Sequence, residues 1–141
     1  MMYSFDADLI KPWIEKEIND EILGRDVRCI GQIDSNKELI AAVAYSGFNE
    51  AQMIMSLAIK KAPSRKFFAI MFDYPFNRAP VNRLTAFIRS DNEKSINLAQ
   101  RCGFVLESTM KQAILDADML VFRLFKDECR FLDQKYQKML R

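Results

Sequence analysis

The side chains able to do chemistry in this 141-residue sequence are few, and what is missing narrows the choice. Histidine is absent, which removes Ser-His-Asp and Cys-His catalysis and most transition-metal sites. Proton transfer must use carboxylate, amine, hydroxyl, thiol or water. In the stretch 83–104, RLTAFIRSDNEKSINLAQRCGF, Asn92 and Ser95 stand three residues apart at the start of a predicted helix. Each has two readings. Asn92 either meets a ligand or simply caps the helix by accepting from the Ser95 amide; Ser95 is either a hydroxyl acid or that cap's partner. Glu50 and Glu107 are the two carboxylates considered as bases, and both are also explicable as surface charges. Residues 60–66, KKAPSRK, carry four cations in seven positions, which either bind an anion or are solvated. Cys29, Cys102 and Cys129 are odd in number and far apart, a pattern of buried thiols in a reducing compartment and not of a disulfide frame or zinc site.

The elements that must position these groups follow from periodicity. Residues 84–89 form an apolar strand; Ser90 with Glu93 as a capping box, or Asn92 alone, starts a helix that Gly103 stops, with Phe104 folding back on its last turn. Upstream, Asp6 or Asp8 caps a helix whose face is Leu9, Trp13, Ile14, Ile18 and Ile22 and which Gly24 ends. Pro12 fits that helix only in its first turn. Strands over 27–33 and 38–45 are joined by Asp34-Ser35-Asn36-Lys37, and a third strand runs 52–60. Ser64 caps a helix with Phe67, Phe68, Met71 and Phe72 on one face, ending near Pro75. Strands 104–111 and 119–125 turn through 116–118. Over 126–141 an amphipathic helix carries Cys129, Leu132, Tyr136 and Met139, continuing from Phe125 a seam that packs on the sheet or meets a second copy in a homodimer.

Half of the residues are apolar, 28% are charged and the net charge is +2. These values fit one globular domain over 1–141 and argue against nucleic acid as a partner. Charged residues interrupt every apolar run short of a membrane span. The acidic N-terminus is unlike a signal peptide, so a soluble, cytoplasmic protein is expected.

Asn92, Ser95, Gly103 and Phe104 form an ordered series that extends outward. Tyr74-Pro75-Phe76 precedes it; Glu107, Asp116-Ala117-Asp118, MLVFRLF and Glu128-Cys129 follow. The series resembles the GNAT superfamily of acyl-CoA-dependent N-acyltransferases, in a phage- or prophage-borne branch, over residues 25–130. The resemblance implies an α+β fold: a mixed, mostly antiparallel central sheet, helices on both faces, splayed central strands and a C-terminal helix. It implies transfer of an acetyl group from acetyl-CoA, as co-substrate, to a primary amine of a small molecule or a protein. By the same resemblance, main chain at Leu57, Ala58 and Ile59 would hold the pantetheine and the thioester carbonyl. Lys60, Lys61, Ser64, Arg65 and Lys66 would hold the diphosphate, and Asn92 the pantetheine amides. Ser95 would protonate the leaving thiolate, since Ala99 stands where the family commonly has tyrosine, and Glu50 would be the base. The acids of the first helix would then border the acceptor site. One departure is plain: no glycine occurs between Phe48 and Gly103, where the family has a glycine-rich diphosphate loop. A GNAT-fold module that binds or assembles without catalysing is the main alternative, and a nucleic-acid-binding domain a third.

Overall fold

The structure is a computed structural model and describes residues 2–141. Seven strands form one sheet in the order β1-β2-β3-β4-β5-β7-β6. They are β1 (Met2–Ser4), β2 (Arg28–Ile33), β3 (Leu39–Ser46), β4 (Gln52–Ile59), β5 (Arg83–Arg89), β6 (Val105–Ile114) and β7 (Ala117–Phe125). Every neighbouring pair is antiparallel except β4–β5. The parallel pair needs a crossover, which α2 (Arg65–Asp73) and a π-helical turn (Tyr74–Arg78) supply.

Strand alternation gives the sheet two apolar faces. On one, Ile10 and Ile14 of α1 (Ala7–Ile18) pack with Ala42, Ala44 and Ala58. On the other, α2, α3 (Glu93–Arg101) and the C-terminal segment cover Met53, Met55, Leu84, Ala86 and Ile88. The α+β architecture with helices on both faces is therefore as expected. Local turn chemistry agrees too. Asp34 closes the β2–β3 hairpin by accepting at Oδ1 from the amides of Asn36 and Glu38, and Lys37 takes φ 64°.

Two expectations are corrected, and a third point is an element the sequence did not announce. The first helix ends at Asn19, not Gly24: Asn19 adopts φ 53°, a left-handed conformation that asparagine tolerates. Its buried face is Ile10 and Ile14, whereas Leu9 is 53% exposed. With Asp6 as the cap, Pro12 falls inside the helix and outside its first turn, on an exposed position where solvent can reach the carbonyl it leaves without a donor. The second correction concerns 126–141, where only Gln134–Gln137 (α4) is α-helical; Lys126–Glu128, Arg130–Leu132 and Lys138–Leu140 are 3₁₀ turns. Phe131 is buried there, stacked on Phe72 of α2 at 4.8 Å, and Cys129 and Tyr136 join the same core. Packing on the chain's own core is thus the alternative realised for that seam. The third is β1, which pairs Tyr3 with Gln32 of β2 and had no sequence signal. Among the described residues no helix is long and apolar enough to cross a membrane.

Candidate active-site cleft

The parallel ladder between β4 and β5 stops early. Register runs only from Gln52–Arg83 to Ile54–Thr85, although both strands continue, β4 to Ile59 and β5 to Arg89. Beyond Ile54 they diverge around a narrow, solvent-open cleft of about 50 Å³, with Leu57, Phe87, Asn92, Ser95, Ala99 and Cys102 in its lining.

Alternation decides which main-chain groups face that gap. The Lys60 amide donates to the Ile40 carbonyl of β3 at 2.8 Å, and Ala58 lies opposite Ala42. Even-numbered residues of β4 therefore turn their N–H and C=O towards β3. The Ala51 carbonyl accepts from the Asn82 amide at 2.8 Å, so odd-numbered residues face β5. Leu57 and Ile59 lie past the last β4–β5 ladder pair; Leu57 lines the cleft and Ile59 the adjoining groove. Ala58 departs from expectation: its polar groups serve the β3–β4 ladder and its methyl lies in the core under α1.

The floor of the cleft is α3. Asn92 is its cap, Oδ1 accepting from the Ser95 amide at 3.2 Å, while Ser90 Oγ accepts instead from the Asp118 amide at 3.0 Å. The Asn92 start, not the Ser90–Glu93 box, is the one formed. Gly103 at φ 99° ends the helix, its amide bonding the Gln100 carbonyl and that of Phe104 the Ala99 carbonyl, the paired bonds of a Schellman stop. Asn92, Ser95, Ala99 and Cys102 thereby share the cleft. No tyrosine lines it, and Ser95 with Ser56 supplies its hydroxyls. Burial pushes the Cys102 thiol up to about 12, so it stays protonated and a poor nucleophile.

Sequence reasoning missed part of the site. Ile18 and Ser56 line the α1 side of the cleft, beside Asp20, one of the acids of the first-helix region expected to border an acceptor site, which puts a carboxylate at that mouth. Arg89 also lines it and is held by Asp91 through two bonds of 3.1 Å, which lower the Asp91 carboxyl below its ordinary range. A second groove continues from Leu98 and Cys102 and is walled by Arg65, Lys94, Arg101 and Arg130. The i, i+7 spacing of Lys94 and Arg101 puts them on one helical face, the one signal that could have found them.

The expected carboxylates are elsewhere. Glu50 is exposed in the turn before β4, at the end where β4 and β5 are still paired. Glu107 sits between Arg83 and Arg123, at 3.1 and 3.5 Å; its bond with Arg83 holds its carboxyl below the usual range, the opposite of what a base needs. Of the cation cluster, Lys60 and Lys61 are exposed and Lys61 approaches Asp34 at 3.9 Å. Arg65 and Lys66 open α2, where first-turn amides have no intrahelical acceptor. Ser64 is the N-cap, its Oγ accepting from the Phe67 amide at 3.1 Å.

No family model and no curated protein sequence matches this chain. Solved structures do match in fold. Spermidine N-acetyltransferase from Vibrio cholerae in complex with CoA and spermine superposes with a TM-score of 0.64 at 18% identity, over 92% of this chain and 80% of that one. The Campylobacter jejuni N-acetyltransferase PseH in complex with acetyl coenzyme A gives 0.56 at 18%, over 72% and 70%. The dodecameric spermidine N-acetyltransferase from Vibrio cholerae gives 0.60 at 19%, over 90% and 82%. The chain has the fold of these N-acetyltransferases.

Proposed function

We propose that the protein is an acyl-CoA-dependent N-acyltransferase that moves an acetyl group from acetyl-CoA to a primary amine of a small molecule or a protein. The observation that carries this reading is the open edge of β4: two consecutive gap-facing residues, Leu57 and Ile59, whose hydrogen-bonding groups have no strand partner. Such groups are costly to leave unmade once covered, and an extended amide-bearing arm such as pantetheine fits beside them as an added strand would. The apolar walls from Ala86, Ile88, Leu98 and Phe104 suit its methylenes. Arg65, Lys94, Arg101 and Arg130 suit phosphates, and the amides of Arg65 and Lys66 add the positive end of a helix.

Acetyl-CoA, when bound, supplies an acyl group activated as a thioester and a thiolate as leaving group. What the chain does is hold and exclude. The Leu57 and Ile59 amides are the donors able to polarise a thioester carbonyl laid along β4. Ser95, one turn before Ala99 on α3, is the hydroxyl placed to donate to the departing sulfur. A thiol of pKa about 8.5 leaves without a strong acid, so the absence of tyrosine at 99 is tolerable. The amine enters from the α1 side, past Asp20, Ser56 and Phe87, and gives up its proton to water. Glu50 is too far along β4 to take it. Alignment can be worth about 7–11 kcal/mol, more than one proton-transfer group at about 10²–10⁴-fold, so a main-chain cleft with few polar side chains is sufficient.

The polyamine named for the Vibrio neighbour makes spermidine and spermine the first acceptors to try, and Asp20 at the α1 mouth suits a cation. The relationship to a phage-borne branch rests on the residues of 74–129 alone. A second reading, a GNAT-fold module that binds without turnover, is favoured by one observation: Ala99 leaves the usual acid position empty. Melting the protein with millimolar acetyl-CoA tests binding, and thiol release with a panel of amines tests turnover. A rise in melting temperature with thiol release supports the enzyme; a rise without release for any amine supports the module; no rise removes both.

A further inference from the structure

We infer that Gln32 of β2 is a positioning residue for the anionic end of the coenzyme, doing with a buried side chain what a glycine-rich turn does with bare backbone. The inference rests on the acyltransferase reading above. Residues 60–64 lead from β4 into α2 and contain no glycine, so something other than chain flexibility must fix how α2 begins. At one end the amides of Lys60 and Lys61 both bond the Ile40 carbonyl, at 2.8 and 3.1 Å. At the other, Ser64 is gripped by its side chain and its main chain together. Its amide donates to Gln32 Oε1 at 2.9 Å and its hydroxyl to the same oxygen at 3.2 Å. Gln32 is 2% exposed, one of three buried polar residues among those described, and the two residues are 32 positions apart in sequence.

The proton count completes the network. The Ser64 hydroxyl has one hydrogen and spends it on Gln32, and its oxygen already accepts from the Phe67 amide. Tyr3, whose hydroxyl lies 3.0 Å from Ser64 Oγ, must then be the donor in that contact. Tyr3 is in β1, so the chain's first strand and its second both anchor the N-cap of α2.

Two consequences follow for an anionic ligand. The Ser64 amide is turned inward and is not available to a phosphate. The free donors are displaced onto Arg65 and Lys66, which carry their own positive charge. The acceptor at position 32 must also be neutral. A carboxylate there would accept the same two bonds but set a buried negative charge behind the anion site; an apolar residue would leave the Ser64 amide without a partner.

The test compares acetyl-CoA with S-acetylpantetheine, which lacks the phosphates, in wild type, Gln32→Glu and Gln32→Met. With Q32E, kcat/KM for acetyl-CoA falls at least tenfold further than kcat/KM for S-acetylpantetheine, and the excess loss shrinks as pH is lowered and the new carboxyl protonates. With Q32M, which brings no charge, KM for acetyl-CoA rises by about tenfold, the scale of one buried hydrogen bond, and hydrogen exchange at the Ser64 amide accelerates. Losses equal for the two substrates, or no loss in either variant, overturn the role of Gln32 while leaving the acyltransferase reading standing. Wild-type protein that neither binds nor uses acetyl-CoA overturns both.

Discussion

Filling the cleft from its floor separates binding from folding. Ala99 is 8% exposed and lines the gap between β4 and β5, so Ala99→Leu adds three carbons to space that the fold itself leaves empty. Leucine is nearly as good a helix former as alanine, and α3 keeps its cap and its stop. Burying the added carbons gains up to about 0.8 kcal/mol each; crowding against Met55 and Phe104 costs about 1–3 kcal/mol. The two nearly cancel, and the free variant should melt within about 5 °C of wild type. Ligand response should differ sharply. At a concentration a hundred times Kd, a ligand that binds only the folded state adds about 2.7 kcal/mol. An unfolding entropy of about 2.1 cal/mol/K per residue over 141 residues amounts to about 0.3 kcal/mol/K. Wild type should therefore rise by about 9 °C with saturating acetyl-CoA and the variant by less than about 2 °C. The assay is differential scanning fluorimetry with and without the coenzyme, and circular dichroism to show that A99L is folded. A variant that responds to acetyl-CoA as wild type does would place the coenzyme outside this cleft and refute the reasoning.

Other outcomes follow from the same geometry. Ser95→Ala should lower kcat by about tenfold, below the ceiling for general acids, while leaving the acetyl-CoA-induced melting shift intact; an unchanged kcat in steady-state thiol release would remove the acid role. Gly103→Ala should cost about 1–2 kcal/mol in urea unfolding, because φ is 99° there, and not because of crowding: the nearest atom to an added Cβ is Leu124 Cδ1 at 3.6 Å. Burial raises the thiols of Cys29 and Cys129 from 9.0 to about 11 and that of Cys102 to about 12. Folded-state values above unfolded ones mean that their contribution is fully present below pH 9 and is lost as pH rises through 11 to 12. The urea midpoint should accordingly fall steadily above pH 9; a flat midpoint from pH 9 to 11 contradicts the burial of these thiols.

Much of this site is legible in the sequence where the signal is local. Ser64, Asn92 and Gly103 act within three or four residues of themselves, and each is where its cap or stop belongs. The short polar stop at Asn19 competed with Gly24 for the end of α1, and asparagine's side chain made the earlier position sufficient. The seam over 126–141 has helical spacing, yet tertiary contacts of Phe131 and Tyr136 with α2 and with each other replace a continuous helix by short turns. What is assembled from distant segments is not readable in one dimension. Gln32 meets Ser64 across 32 positions, and the cations of the second groove come from α2, α3 and the C-terminal segment. The separation of β4 from β5 is of the same kind, since neither strand's residues announce where their pairing stops.

Amide hydrogen exchange along β4, with and without acetyl-CoA, addresses the unpaired edge directly. Leu57 and Ile59 should exchange quickly in the free protein and slow by about tenfold or more when the coenzyme is added, while Ala58, already bonded to β3, stays unchanged. Protection that is the same at Leu57 and Ile59 with or without acetyl-CoA, under conditions where the coenzyme is bound, would show that no acyl-carrying arm lies along this strand.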